Sequence, residues 1–129
     1  MLKDLKMVRL KRNGCSVLNL VLKRKWYDMI ASGEKKEEYR DSRKHWWTRI
    51  GRWMTNSIPV GDGFDVIFGE DKPMVVAFSL GYRKADMFFV VDTILDPDAK
   101  YPERTCHPEW GEPNSPHYVI KLGERVELV

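Results

Sequence analysis

The sequence has only two cysteines, Cys15 and Cys106, and no C-x-x-C pair, so it offers no disulfide framework and fits a reducing, intracellular setting. Histidine is nearly as scarce, with three residues. Cys106-His107 and His117 invite a zinc reading, but adjacent Cys and His side chains rarely converge on one ion, and no ligand spacing is present. The same adjacency argues against a Cys–His nucleophile pair. No metal and no cofactor is therefore expected. Long apolar runs are missing too: Val17 to Leu22 is six residues, against about 20 for a membrane helix. Lysines at 3 and 6 are followed by no apolar leader or small-residue cleavage site, so the expectation is a cytoplasmic protein with no membrane partner. Internal repeats and low-complexity tracts are absent.

What remains is ample for one folded unit. At 129 residues with 43% hydrophobic content, and ten Trp plus Phe, the chain has material for a single core. A domain of this size buries about two thirds of its extended surface. The net charge of +3 conceals a division: residues 1–54 hold 15 Lys/Arg against 6 Asp/Glu, and residues 55–129 hold 7 against 13. Such asymmetry is compatible with a basic face that meets a polyanion, and equally with lysines that are simply solvated.

In chain order, residues 1–16 read as a basic arm or an edge strand, with Asn13-Gly14 as the turn into residues 17–129. Val17 to Leu22 reads as a buried strand, and Arg24 to Ser32 as a helix with Trp26, Met29 and Ile30 on one face. Trp46, Ile50 and Trp53 recur at helical spacing after an Asp41 or Ser42 cap, while His45, Arg49 and Arg52 fall on another face. Gly51 predicts a short or bent helix there, at a cost of about 1 kcal/mol relative to Ala. The helix either plugs one end of the core with tryptophan, or presents Trp46 or Trp47 as a platform for a base. Runs at Phe64–Phe68, Met74–Leu80 and Met87–Leu95 predict an antiparallel meander. Five of the seven prolines lie between 96 and 116 and exclude a central strand or long helix from that stretch. Tyr118–Leu122 and Val126–Val129 suggest a closing hairpin through Gly123-Glu124.

The densest chemistry lies in Gly33-Glu34-Lys35-Lys36-Glu37-Glu38-Tyr39-Arg40. Gly33 falls where a helix C-cap requires φ > 0. An extended chain beyond it puts Lys36, Glu38 and Arg40 on one face and Lys35, Glu37 and Tyr39 on the other. Lys35 is near enough to the turn to lean over the helix end, which gathers a Lys, a Glu and an Arg in one small volume. The bland alternative is an ion-paired strand face with no chemistry.

Gly33-x-Lys35-x-x-Glu38-x-Arg40 resembles the G-x-K-x-x-E-x-R signature of the ASCH domain, a small β-barrel superfamily similar to the PUA RNA-binding fold. Val17–Leu22, Trp26–Ser32, Phe78-Ser79-Leu80-Gly81-Tyr82 and His117–Gly123 resemble the family's first strand, first helix, Gly-Tyr strand and closing strand. The resemblance covers roughly residues 17 to 128. It implies an α+β fold: a small PUA-like β-barrel of about six or seven mostly antiparallel strands with two or three short helices. It implies RNA or a nucleotide as partner, held in a cleft at Lys35, Glu38 and Arg40. Tyr82 with Trp46 or Trp47 are candidate stacking residues, and Arg43, Lys44, Arg49 and Arg52 the electrostatic approach.

Arg40 can fork onto phosphate or carboxylate. Lys35 becomes a usable base only if burial or a neighbouring cation, Lys36 or Arg40, depresses its pKa. If the protein is an enzyme, Lys35, Glu38 and Arg40 are its catalytic candidates. ASCH amidohydrolases acting on acylated cytidine nucleosides resemble the chain at Gly33, Lys35 and Arg40, but carry a Thr nucleophile where Glu38 stands. A carboxylate there would have to activate water instead. A metal-independent hydrolase, ribonuclease or amidohydrolase, is the alternative function; a protein–protein adaptor using the Trp-rich helix is a third.

Overall fold

Alternation of apolar and polar positions sets which strand faces are buried. In the computed structural model, which describes residues 7–55, 72–98 and 106–129, the strands are β1 (Val8–Leu10), β2 (Ser16–Leu22), β3 (Glu37–Asp41), β4 (Met74–Leu80), β5 (Met87–Leu95) and β6 (His117–Leu128). Two helices, α1 (Arg24–Ala31) and α2 (Lys44–Thr55), interrupt the early strands. Leu18, Leu20 and Leu22 of β2 point inward against Phe78, Met87, Ile120, Ile30 and Ile50. Each such side chain, fully buried, contributes about 1.5–3 kcal/mol. Asn19 and Val21, between the leucines, face outward, so β2 is half-buried rather than the buried strand its composition predicts. The reason is positional: β2 ends the sheet's strand path, pairing with β4 in parallel register from Ser16↔Met74 to Leu22↔Leu80.

β4–β5 is antiparallel, as the meander predicts for those two runs, and β5–β6 is antiparallel as well. The far edge of β6 is shared by β3, antiparallel over Glu37↔Lys121 to Asp41↔His117, and by β1, parallel over Val8↔Val126 to Leu10↔Leu128. The fold is thus α+β, with a six-stranded mixed sheet and two helices. Among the described residues the sheet does not close into a barrel, and two of its five pairings are parallel. Phe64–Phe68, expected as a further strand, lies outside the described residues. β1 supplies the expected edge strand, but its partner is the end of β6, not the next strand in sequence.

The expected hairpin at Gly123-Glu124 does not form: β6 runs unbroken through it. Gly123 sits at a register shift, and a Cβ there would lie 3.1 Å from the Val90 carbonyl oxygen. The missing side chain serves close approach at a bulge, not reversal of the chain. Gly51 likewise leaves α2 unbroken, because Ile50 and Trp53 are buried on either side of it. The Trp53 indole N–H donates to the Ser16 carbonyl at 3.0 Å, and the Ser16 hydroxyl donates to the Trp53 carbonyl at 2.9 Å, tying α2 to the start of β2.

No helix among the described residues is long and apolar enough to cross a membrane.

Candidate functional site

The gap between β2 and β3 is a cleft of about 1000 Å³. Its floor and walls come from β2 (Asn19, Val21), α1 (Trp26), Lys35 and the segment 38–43, α2 (Trp46, Arg49) and the loop around Trp110. Local sequence builds each wall. Gly33, at φ 85°, turns the chain out of α1, with its N–H on the Ile30 carbonyl. The Lys35 N–H then bonds to the Met29 carbonyl at 2.9 Å, which folds Lys35 back over the helix end. β3 begins two residues later, and its register against β6 puts Glu38 opposite Ile120 and Arg40 opposite Tyr118, on the core side of the sheet.

Lys35, Glu38 and Arg40 therefore meet, below the surface. Lys35 and Glu38 are each only 3% exposed. The Lys35 ammonium donates to Glu38 Oε1 at 3.0 Å and lies over the rings of Trp26 (4.7 Å) and Tyr39 (5.2 Å). The Tyr39 N–H reaches the same Oε1 at 3.0 Å. Glu38 Oε2 is different. Arg40 Nη1 stands 3.3 Å away, within ion-pair range, but it is not aligned to hydrogen-bond and donates instead to the Tyr39 carbonyl at 2.7 Å. Among the described residues, Oε2 is the one buried side-chain N or O atom without a hydrogen-bond partner. Leaving a carboxylate oxygen unmet at such depth is costly.

Arg40 also spans the gap, its Nη2 donating to the Val21 carbonyl at 3.3 Å, while Arg49 donates to the Asn19 carbonyl at 2.9 Å. Two guanidiniums thus occupy acceptors on the edge of β2 that no other described strand pairs, an edge that would otherwise be a template for another strand. Both lie over the Trp46 ring, at 5.1 and 4.8 Å from its centroid. Arg43 borders the mouth, paired with Asp41 at 2.7 Å, and that contact holds the Asp41 carboxyl below its ordinary value. The cleft lining carries five cations, Lys23, Lys35, Arg40, Arg43 and Arg49, against two carboxylates, Glu38 and Asp41.

Several expected residues stand elsewhere. Trp47 is 64% exposed and Tyr82 fully exposed, and neither lines this cleft; Lys44 and Arg52 do not line it either. Trp47 follows Trp46 by one position, about 100° around the helix, so the two cannot share a wall. Tyr82 rides the β4–β5 turn, where Gly81 has φ 60°, and borders a neighbouring groove. Lys36 is exposed and does not join the buried Lys35.

Three contributors escape sequence reasoning. Trp26, assigned to the apolar face of α1, is partly exposed and lines the cleft. Gly111, at φ 82°, lets the loop pass against Trp26; a Cβ there would lie 2.7 Å from the indole. Glu112 and His117 form a buried pair, Nε2 to Oε2 at 2.8 Å, with His117 Nδ1 on the Ser115 carbonyl at 2.6 Å, and this pins the cleft-lining loop to β6. The prolines of residues 96–116 mark a loop in the sequence, but nothing local brings that loop against Trp26. Cys106 is exposed, and no group of three metal-ligating side chains occurs among the described residues. No protein-family model, no curated protein and no solved structure matches the chain.

Proposed function

We propose that the protein binds RNA or a nucleotide in the cleft between β2 and β3, in the manner of an ASCH-type, PUA-like domain. The observation that carries this reading is the cleft's lining: indole rings of Trp26, Trp46 and Trp110 around a net-positive pocket, with a buried carboxylate oxygen that is ion-paired to Arg40 at 3.3 Å but makes no hydrogen bond. Bases stack on aromatic faces without regard to identity, at about 1–3 kcal/mol each. Phosphate takes guanidiniums such as those of Arg43 and Arg49. Glu38 Oε2 accepts, so it suits a ligand N–H, the group a base edge displays. Lys35, bonded to Oε1, keeps Glu38 oriented for that contact.

The test is filter binding of single-stranded RNA and of nucleoside monophosphates at several salt concentrations. Log affinity for RNA is expected to fall linearly with log salt, at about 0.7 per phosphate contact for a single strand. Lys35→Ala and Arg40→Ala are expected to abolish binding. No RNA or nucleotide affinity at low salt, or an affinity indifferent to salt, overturns the reading.

Glu38 Oε2 also favours a second reading, a metal-independent hydrolase in which that oxygen takes a proton from water. Incubation with structured RNA and with N4-acylated cytidine separates the two. Product lost in Glu38→Gln supports hydrolysis; binding without product retains the first reading.

A further inference from the structure

The cleft is not the only basic concavity. Where β2 meets α1, a groove of about 880 Å³ is lined by Lys23, Arg24, Tyr82 and Arg83, with Val21, Leu22, Leu80 and Gly81. It shares Val21, Leu22 and Lys23 with the cleft, so the two concavities adjoin at the end of β2. Among the described residues no carboxylate lines the groove. Asp28 touches Arg24 only at 3.9 Å, with both side chains more than half exposed, so that pair scarcely offsets the charge. At its edge Tyr82 is wholly exposed on a turn fixed by a left-handed glycine, a large ring placed in solvent with both faces open.

Three cations beside one exposed ring suit a strand that alternates phosphates and bases. We propose that this groove carries the nucleotides adjoining the one in the cleft, so that the physiological ligand is a single RNA strand and Tyr82 stacks on a flanking base. The inference rests on the cleft binding a nucleotide, and adds that recognition continues past it. Lys23, shared by both concavities, would hold the bridging phosphate. A folded duplex is disfavoured, because stacking on Tyr82 needs an unpaired base.

The experiment measures affinity for nucleoside monophosphates and for unstructured mixed-sequence oligoribonucleotides of two, four and eight residues, in the wild type and in Tyr82→Ala, Tyr82→Phe and Arg83→Ala. All three variants alter exposed positions, and thermal melting confirms that each folds. Affinity is expected to rise at least tenfold from one to four nucleotides. Tyr82→Ala should lower tetranucleotide affinity by about tenfold, the scale of one lost stack, with Tyr82→Phe restoring it. Arg83→Ala should reduce the salt slope by about 0.7. Mononucleotide affinity should stay the same in all three. Length-independent affinity, or tetranucleotide binding unchanged in both Tyr82→Ala and Arg83→Ala, overturns the groove and leaves the cleft standing. An absence of binding by every probe overturns both.

Discussion

The two faces of β3 both bury charge, and they finish it differently. On one face Glu37 accepts from the Tyr39 hydroxyl at 3.0 Å, and Tyr39 meets the His117 ring edge-on at 5.6 Å, with His117 held by Glu112. On the other, Lys35 and Arg40 flank Glu38, and Oε2 is left without a hydrogen bond. The first cluster closes its own hydrogen bonds, and the second leaves one carboxylate oxygen without any; both border the cleft, the first through Tyr39. Burial alone does not separate scaffold from site, since Glu37 and Glu38 are 6% and 3% exposed. What separates them is where hydrogen-bonding capacity is left over, because a protein meets that cost only where something else supplies the donor.

The hardest way to break this contrast is to remove Glu38. Glu38→Ala leaves Lys35 as an uncompensated buried cation and is expected to cost about 3–5 kcal/mol in urea unfolding. The double variant Lys35→Met with Glu38→Leu removes both charges, and should recover most of that stability while remaining unable to bind RNA. Ligand affinity surviving in the double variant would mean that the charged pair is scaffold after all. Next in size is Gly111→Ala, which combines a left-handed backbone with a 2.7 Å approach to Trp26. A left-handed non-glycine residue costs about 1–2 kcal/mol, and the clash adds to it. Its midpoint should fall, and cleft affinity with it, since the loop has to lift off Trp26.

Tyr39→Phe probes the closed face. It strips the donor from Glu37 Oε1 and is expected to cost about 1–3 kcal/mol, with RNA affinity little changed. It also carries a pH signature. Burial, then the Glu37 charge and hydrogen bond, push the Tyr39 hydroxyl far above its ordinary value. Above about pH 10 the unfolded tyrosine ionises while the folded one keeps its proton, so the unfolded state binds fewer protons and stability falls as pH rises. That alkaline loss should be smaller in Tyr39→Phe. Equal slopes in the two proteins would place the Tyr39 hydroxyl in water.

How much of this the sequence conveys depends on whether the determinant is local. Gly33 ends α1 and sends the chain back over it, and period-2 spacing puts Glu38 and Arg40 on one face; both are local properties, legible before any fold is known. β4 and β5 are legible for the same reason. The open sheet is not, because pairing β1 with β6 in parallel depends on contacts more than a hundred residues apart. Gly123 misleads because glycine serves turns and close approaches alike, and only the Val90 backbone distinguishes them. Tyr82 misleads in a similar way: its neighbours Arg83 and Lys84 suit a nucleic-acid contact, but the direction of the β4–β5 turn decides which concavity it borders. Trp26 is hidden because an indole on an apolar helix stripe looks like core. Its place over Lys35 is a tertiary fact.

At the cleft mouth the balance of charge is finer, and so is the expected effect of changing it. Arg43 Nη2 is held by Asp41 at 2.7 Å, on a side chain 84% exposed, so a phosphate must compete with that carboxylate for the guanidinium. Asp41 Oδ1 also accepts the Arg43 N–H at 2.9 Å, in the turn that joins β3 to α2. An Asn side-chain oxygen accepts such a turn N–H as Asp does, so Asp41→Asn keeps the turn and removes only the charge. The unfolding midpoint at neutral pH should scarcely move. RNA affinity should rise roughly two- to fivefold, the range that fits an exposed ion pair, and the gain should shrink at high salt as the pair itself is screened. If affinity falls instead, Asp41 is orienting Arg43 for the ligand, and the mouth of the cleft is as preorganised as its floor.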